Sequence, residues 1–331
     1  MRFPGRWWRF WVELFSQRER GSTLAALRIG VALALTYSLL SPLAFGIADD
    51  LFIHQDHGGI RRISGTWLMQ LFGGATPAVF WTLYTTSVAL TLSLLVGFGG
   101  RVVPFLLLQT YGGIIASNPY GSGGYDFLFT NALWLMVLGD VTRTWSVDCK
   151  RRTGRWTSDD EVAAWPRYLF VFQLIVMYAS TGFRKSSVVW LPSGGYSALY
   201  YALMDPNWTR YDLSGVAWVY PLSQVLSAVA VHWEQLTVLL LVVFYYRYTA
   251  KSTGRLRRLF NRWDLRKPWA LTGIGLHVSI LLLLSVGPFS WISLAYYTSL
   301  FTPEEIQAGL RRVKRLGRRR KPGRRPVVAK C

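Results

Sequence analysis

Two cysteines in 331 residues, Cys149 and Cys331, leave no disulfide framework to read, and neither sits in a spacing that suggests a metal site. Cys331 is the last residue, so it does not form a prenylation box. Charge is sparse at 16%, and acid is scarcer than base: 17 Asp and Glu against 37 Lys and Arg. Alternating strands of about ten residues are missing, which excludes the pattern of a spanning β-barrel. A phosphate loop is missing too. The Gly- and Ser-rich stretch NPYGSGGYDF, Asn118 to Phe127, has no Lys-Ser or Lys-Thr behind it and reads as a short turn. No duplication relates the two halves, in contrast to many transporters.

What the chain has instead is apolar length. Half of it is hydrophobic, with 16 Trp, 17 Tyr and 18 Phe. Several runs reach the roughly 20 residues that carry a helix across about 30 Å of hydrocarbon. A pI of 10.3 alone would suggest nucleic acid. Beside such runs the charge reads as topology, and no nucleic acid is expected. The fold class is an all-α polytopic integral membrane protein. Spans are expected at 22–46, 75–97, 102–117, 125–141, 164–183, 222–246, 268–286 and 289–301. Pro288 leaves open whether the last two are separate spans or one broken helix. The first run is too long for a signal-peptide core.

The cations test this arrangement. With the N-terminus in the cytoplasm, inside segments collect five Arg before residue 21, then Arg101, then Arg143, Lys150, Arg151, Arg152 and Arg155. Eight more follow from Arg247 to Lys267, and eleven in the tail. Outside segments keep Arg61, Arg62, Arg184, Lys185 and Arg210. The positive-inside rule then places both termini in the cytoplasm and predicts about eight transmembrane helices. Three regions follow. Residues 1–21 are a basic, aromatic interfacial segment. Residues 22–301 are the membrane domain. Residues 302–331 are a basic tail expected to be disordered and to favour anionic lipid. The bilayer is the expected partner, a protein partner is left open, and the expected location is the plasma (inner) membrane of a bacterium.

Ionisable residues within spans are functional candidates by default. Arg28 lies early in the first span, where snorkelling to the near face would satisfy it. His232 and Glu234 stand mid-span, about 200° apart on a helix, so they do not share one narrow site. Glu234 there must be protonated, paired or facing a wet cavity. His277 lies midway along the seventh span, and an interhelical Glu234–His277 pair is plausible. Lys185, in STGFRKSSVVW, closes the fifth span beside Arg184. One reading is an interface anchor with Trp190 as belt residue. The other is a catalytic base, an amine whose pKa falls through partial burial and the neighbouring Arg184 cation, with Trp190 as apolar cover, so that it carries a free lone pair.

Four stretches carry a family likeness: LAALRIGVALALTY (Leu24 to Tyr37), TWSVDCKRR (Thr144 to Arg152), YASTGFRKSSVVW (Tyr178 to Trp190) and GLHVSILLLLSVGPFSWISLAYYTSLF (Gly275 to Phe301). In this order and spacing the chain resembles the HTTM (horizontally transferred transmembrane) family, which includes the membrane domain of vitamin K-dependent gamma-carboxylase. The resemblance implies an all-helical membrane fold. It also implies that Lys185 matches the Lys that deprotonates vitamin K hydroquinone; Arg184, the first cation of the pair, is a Lys in the carboxylase. There the oxidised quinone takes a proton from a substrate Glu and CO2 adds to the carbanion. Glu234 and His277 match an acidic position and a His of the family, and a quinone or lipid would lie near Trp190 and Tyr178. The carboxylase has a His where this chain has Arg143, and continues into a large lumenal domain where this chain continues into a basic tail. Three functions follow as expectations: an enzyme with Lys185 as base on a quinone- or lipid-like substrate, a non-catalytic membrane protein binding a lipid or protein partner, and a proton-coupled transporter using Glu234 and His277. No metal is expected.

Overall fold

The computed structural model describes residues 3–248 and 254–319. The chain is mostly helical: α1 Phe3–Phe15, α2 Ser22–Ala44, α3 Ala48–Phe52, α4 Trp67–Leu71, α5 Pro77–Val96, α6 Val102–Ile115, α7 Gly124–Leu138 and α8 Val147–Thr153. Then come α9 Trp165–Arg184, α10 Ala198–Met204, α11 Val219–Gln235, α12 Leu239–Tyr248, α13 Arg255–Arg262, α14 Arg266–Leu283, α15 Phe289–Tyr297 and α16 Pro303–Arg319. All eight segments expected as spans are helical. Three helical runs are long and apolar enough to cross a membrane by themselves: Ser22–Ala44, Pro77–Val96 and the continuous Val219–Arg247. Helices α6 and α7 are apolar but shorter.

Local chemistry sets the helix ends. Thr76 caps α5 with Pro77 in its first turn, and Gly97 ends it at φ 72°, a left-handed conformation that glycine adopts without strain. Pro166 stands in the first turn of α9. At 284–288 the helix stops, and α15 folds back on α14: Arg266 donates to the Leu300 carbonyl at 2.5 Å, and the rings of Trp269 and Tyr297 lie 5.7 Å apart. The break at Pro288 therefore separates two antiparallel helices.

Between helices in an apolar medium, close packing and hydrogen bonds replace the hydrophobic drive. Small residues supply that closeness. A Cβ on Gly30 would come within 2.9 Å of the Ala295 Cβ, joining α2 to α15. One on Gly182 would stand 2.7 Å from the Gln235 backbone nitrogen and 2.9 Å from the Glu234 carbonyl carbon, so α9 and α11 meet nearly backbone to backbone with no room between.

One end of the bundle is basic. There a two-stranded antiparallel sheet, β1 Arg18–Arg20 with β2 Glu161–Ala163, pairs Glu19 with Val162 and pins the N-terminal segment to the start of α9. Arg167, almost fully buried, grips both Glu19 carboxylate oxygens at 2.7 and 2.9 Å. Helix α1 lays Phe10 and Leu14 into the core and leaves Trp8 and Val12 exposed. The segment expected as a disordered tail begins as a helix, α16. Its acids sit in the first turn, and Glu305 pairs with buried Arg266 at 2.8 Å. The remainder of that tail, Cys331 included, lies outside the described residues.

Arg28 does not snorkel. It is fully buried and donates to the carbonyls of Leu94 at 2.5 Å, Leu95 at 2.8 Å and Trp145 at 2.6 Å. It thereby fills the open carbonyls at the C-terminus of α5, where a cation is also favoured by the helix dipole. The TWSVDCKRR stretch belongs to the same joint. Trp145 adopts φ 51°, a rare conformation for a bulky residue, and so turns its carbonyl to Arg28. Ser146 caps α8, and Asp148 accepts from the backbone of Gly99 and Gly100 at 3.2 and 2.7 Å. Arg143 pairs locally with Asp140. This stretch builds the basic end and lies far along the bundle from Lys185.

Candidate functional site

At the opposite end, α9 finishes at Arg184 and Lys185 turns back inward. Its ammonium makes an ion pair and hydrogen bond with the Glu234 carboxylate of α11. Both side chains are largely buried, Glu234 at 9% and Lys185 at 19% exposure. The close approach at Gly182 sets the distance between the two helices, and Gln235 Nε2 donates to the Gly182 carbonyl at 3.2 Å. The Lys185 Nζ also lies 4.9 Å from the centre of the Trp190 ring, a cation–π contact.

This geometry revises the interface-anchor picture. Glu234 stands near the middle of the 29-residue run Val219–Arg247. Lys185 closes α9, and its amine meets that run near its middle. The immediate neighbour of the amine is a carboxylate, not the Arg184 guanidinium, which is exposed. The segment after Lys185 closes the site from the free end: α10 packs along α11, and 208–210 binds the end of α14 through Ser285 N to Trp208 O at 2.7 Å and Arg210 N to Leu283 O at 2.9 Å.

Glu234 and His277 are not paired. His277 is fully buried and its Nε2 hydrogen-bonds the Tyr178 hydroxyl at 2.5 Å. Tyr178 stands between the two residues expected to meet. It belongs to a box of rings: Trp233 lies 4.9 Å away, Trp269 5.6 Å, Tyr297 6.1 Å and His277 6.1 Å, with Trp233 and Trp269 stacked at 4.5 Å. Gly273 leaves the space that the Tyr297 hydroxyl and the Trp233 ring occupy. Among the described residues, His277 Nδ1 and Trp269 Nε1 have no hydrogen-bond partner. His232 faces away, as the helical angle requires, with its Nε2 3.1 Å from the Tyr196 hydroxyl in the covering segment. The structure thus brings Lys185, Glu234 and Trp190 into one contact set and Tyr178 and His277 into an adjoining one. Arg184 belongs to neither.

Sequence reasoning missed Trp233, Trp269 and Tyr297. Trp233 directly precedes Glu234, and its position one residue from a mid-span acid was the available signal. Among the described residues, no group of three or more His, Cys, Asp or Glu side chains is placed to hold a metal ion.

Comparison with known proteins reaches the level of a family. No curated protein and no solved structure matches it. The HTTM domain matches residues 17–305, a stretch that runs from β1 into the first turn of α16 and takes in the whole ring box and the Lys185–Glu234 pair. With its long apolar helices, the chain is an integral membrane protein that belongs to the HTTM domain family.

Proposed function

We propose that this protein is a membrane enzyme of gamma-carboxylase-like type, in which the Lys185–Glu234 pair removes a proton from a hydroxyl of a quinone- or lipid-like substrate. The observation that carries the reading is the pair itself: an amine beside the Trp190 ring whose ion-pair partner, among the described residues, is a carboxylate on another helix. In a low-dielectric site an ammonium against a carboxylate can pass its proton across and leave two neutral groups. The neutral Lys185 amine then has the lone pair that a base needs, and the substrate hydroxyl gives its proton to it. Glu234 is the residue that holds the displaced proton. Trp190, half-buried beside the amine, provides a flat apolar face for a ring or isoprenoid chain.

The reduced quinone of this proposal would lie against the half-buried Trp190 ring beside the Lys185 amine, since the interior of the ring box is filled by the Trp233–Trp269 stack. When bound it would supply the acidic phenolic hydroxyl on which the pair acts. Tyr178 and His277, hydrogen-bonded to each other, orient the wall behind Glu234 rather than the substrate.

The topology proposed with this function has eight membrane crossings and both described ends in the cytoplasm, in the plasma membrane of a bacterium. Its support is the gathering of α1, α8, α13 and α16 at one end, where Arg155, Arg311 and Lys314 line a single cleft. The Lys185 site then opens toward the outer leaflet. The α13 and α16 cations would lie against anionic lipid.

A second reading is a non-catalytic lipid- or partner-binding protein, favoured by the way the two charges satisfy each other. Oxygen-dependent oxidation of reduced naphthoquinone by purified protein in nanodiscs separates the two. Turnover in wild type, lost in Lys185→Ala and not restored in Lys185→Arg, supports the base. Restoration by Arg sinks it, since a guanidinium stays protonated.

A further inference from the structure

Away from the Lys185 pair, at the same end of the bundle, α2, α5, α6 and α7 enclose a cavity of about 200 Å³. That is several times the roughly 30 Å³ share of a water molecule. Its polar wall is Asp126. The residue is buried to 6% exposure, and its Oδ1 accepts from the Tyr111 hydroxyl at 2.5 Å. Ser38 Oγ lies 3.2 Å from that hydroxyl, and Oδ2 accepts from Gly123 N at 2.7 Å. Among the described residues no Lys, Arg or His pairs with Asp126. The rest of the wall is rich in rings: Phe45, Phe52, Tyr84, Tyr111 and Tyr125 all line it.

Asp126 has a structural duty, since it stands in the first turn of α7 and closes a cap with Gly123. A cap needs an acceptor oxygen, which asparagine or serine supplies as well. It does not need a full negative charge held in a ring-lined cavity. A buried carboxylate without a cation is costly. The ring-rich wall around it supplies hydroxyl and backbone donors but, among the described residues, no cation. The two features are explained together by an ammonium ligand, because carboxylate and aromatic faces both attract it. We propose that this cavity binds a compact ammonium group, with Asp126 as counter-ion and the surrounding rings as a cage. The occupant is either a soluble ammonium solute or the choline headgroup of a lipid.

The test uses the full chain in nanodiscs of phosphatidylglycerol alone, which carry no ammonium lipid. Radiolabelled choline is the probe, and its uncharged isostere 3,3-dimethylbutan-1-ol is the competitor. Saturable binding is expected, displaced by unlabelled choline and at least about tenfold more weakly by the isostere. Asp126→Asn keeps the cap oxygen and is expected to bind at least about tenfold more weakly while unfolding at the same temperature. A second arm reads the immobilised fraction of spin-labelled phosphatidylcholine; selectivity lost in Asp126→Asn assigns the site to a lipid headgroup, and binding of free choline alone assigns it to a solute. The proposal is overturned if neither arm gives saturable binding, if choline and its isostere compete equally, or if Asp126→Asn binds as wild type does. Should that variant fail to fold, the comparison of choline with its isostere on wild type decides alone.

Discussion

The Lys185–Glu234 pair can be taken apart in a double-mutant cycle whose outcome depends on burial. Lys185→Met leaves the Glu234 carboxylate, nearly closed to solvent, without a counter-charge. Glu234→Leu leaves the ammonium in the same position. Breaking a fully buried pair costs about 3–5 kcal/mol. Lys185 is about a fifth open, and either orphan can shed its charge by changing protonation, so each single variant should lose about 2–3 kcal/mol. Removing both partners for apolar groups of similar volume removes the orphan as well. The double variant should therefore fall within about 1 kcal/mol of wild type, which makes the coupling at least about 3 kcal/mol in magnitude. Urea unfolding followed by tryptophan fluorescence reads this directly. Additive losses would mean that the two side chains do not meet in the membrane-embedded protein, and the proton-sharing step would have no basis. Turnover gives an independent reading: the double variant should be stable and inactive, a combination that a purely structural pair does not produce.

Gly182→Ala should prise α9 from α11, because its Cβ would stand 2.7–2.9 Å from the backbone and Cβ of 234–235. A loss of about 1–3 kcal/mol and of naphthoquinone oxidation together is expected, and unchanged turnover would separate helix packing from the site. Arg28→Met should cost about 3 kcal/mol through three lost hydrogen bonds, two of them to carbonyls left without another donor among the described residues while Leu94 keeps the Gly97 N–H, with Arg28→Gln recovering part; an unfolding curve like that of wild type would remove the capping role. At the basic end, burial alone would push the carboxyls of Asp264 and Glu305 up, but at Asp264 the cations Arg266, Arg247 and Lys267 outweigh it. At Glu305 the Thr302 backbone and Lys267 and Arg266 do the same, so both are held below the usual range. Depressed folded-state values mean stability that is present above about pH 4 and lost as pH falls through the folded values. Glu305→Gln should flatten that acid loss in a pH series of melting temperatures, and an unaltered acid limb would count against it.

The apolar runs and the cation count made the helical segments legible, because both follow from composition along one chain. Their boundaries shifted little: the expected 22–46 became Ser22–Ala44, and 75–97 became Pro77–Val96. The small sheet between 18–20 and 161–163 was not legible, since three-residue strands carry no period and their pairing joins segments more than 140 residues apart. Arg28 shows a different limit. Depth in a span suggested snorkelling, whereas the decisive quantity was the supply of open carbonyls at the end of a neighbouring helix, including one turned inward by Trp145. Glu234 was read correctly as needing a partner, but the nearest candidate by depth was His277. Lys185 does close α9, as expected; that α9 ends beside the middle of the longer Val219–Arg247 run was not legible, because helix length along one span says nothing about the offset of the next.

These corrections sort the family-like stretches by what they do. Leu24–Tyr37 and Thr144–Arg152 supply Arg28, Trp145, Ser146 and Asp148, and all four are spent on a joint at the basic end. Tyr178–Trp190 and Gly275–Phe301 supply Lys185 and Trp190 of the ion-pair site and Tyr178, His277 and Tyr297 of the adjoining ring box. Under the proposed function, departures in the two pairs carry different weight: those in the first bear on the basic end, those in the second on the Lys185 site. Arg143, where the carboxylase has His, falls in the architectural set: it pairs with Asp140, far from the amine. Arg143→His should therefore leave Lys185-dependent turnover unchanged and alter only the stability of the basic end. A gain or loss of turnover in that variant would show that the basic end communicates with the site, and would move Thr144–Arg152 from the scaffold into the mechanism.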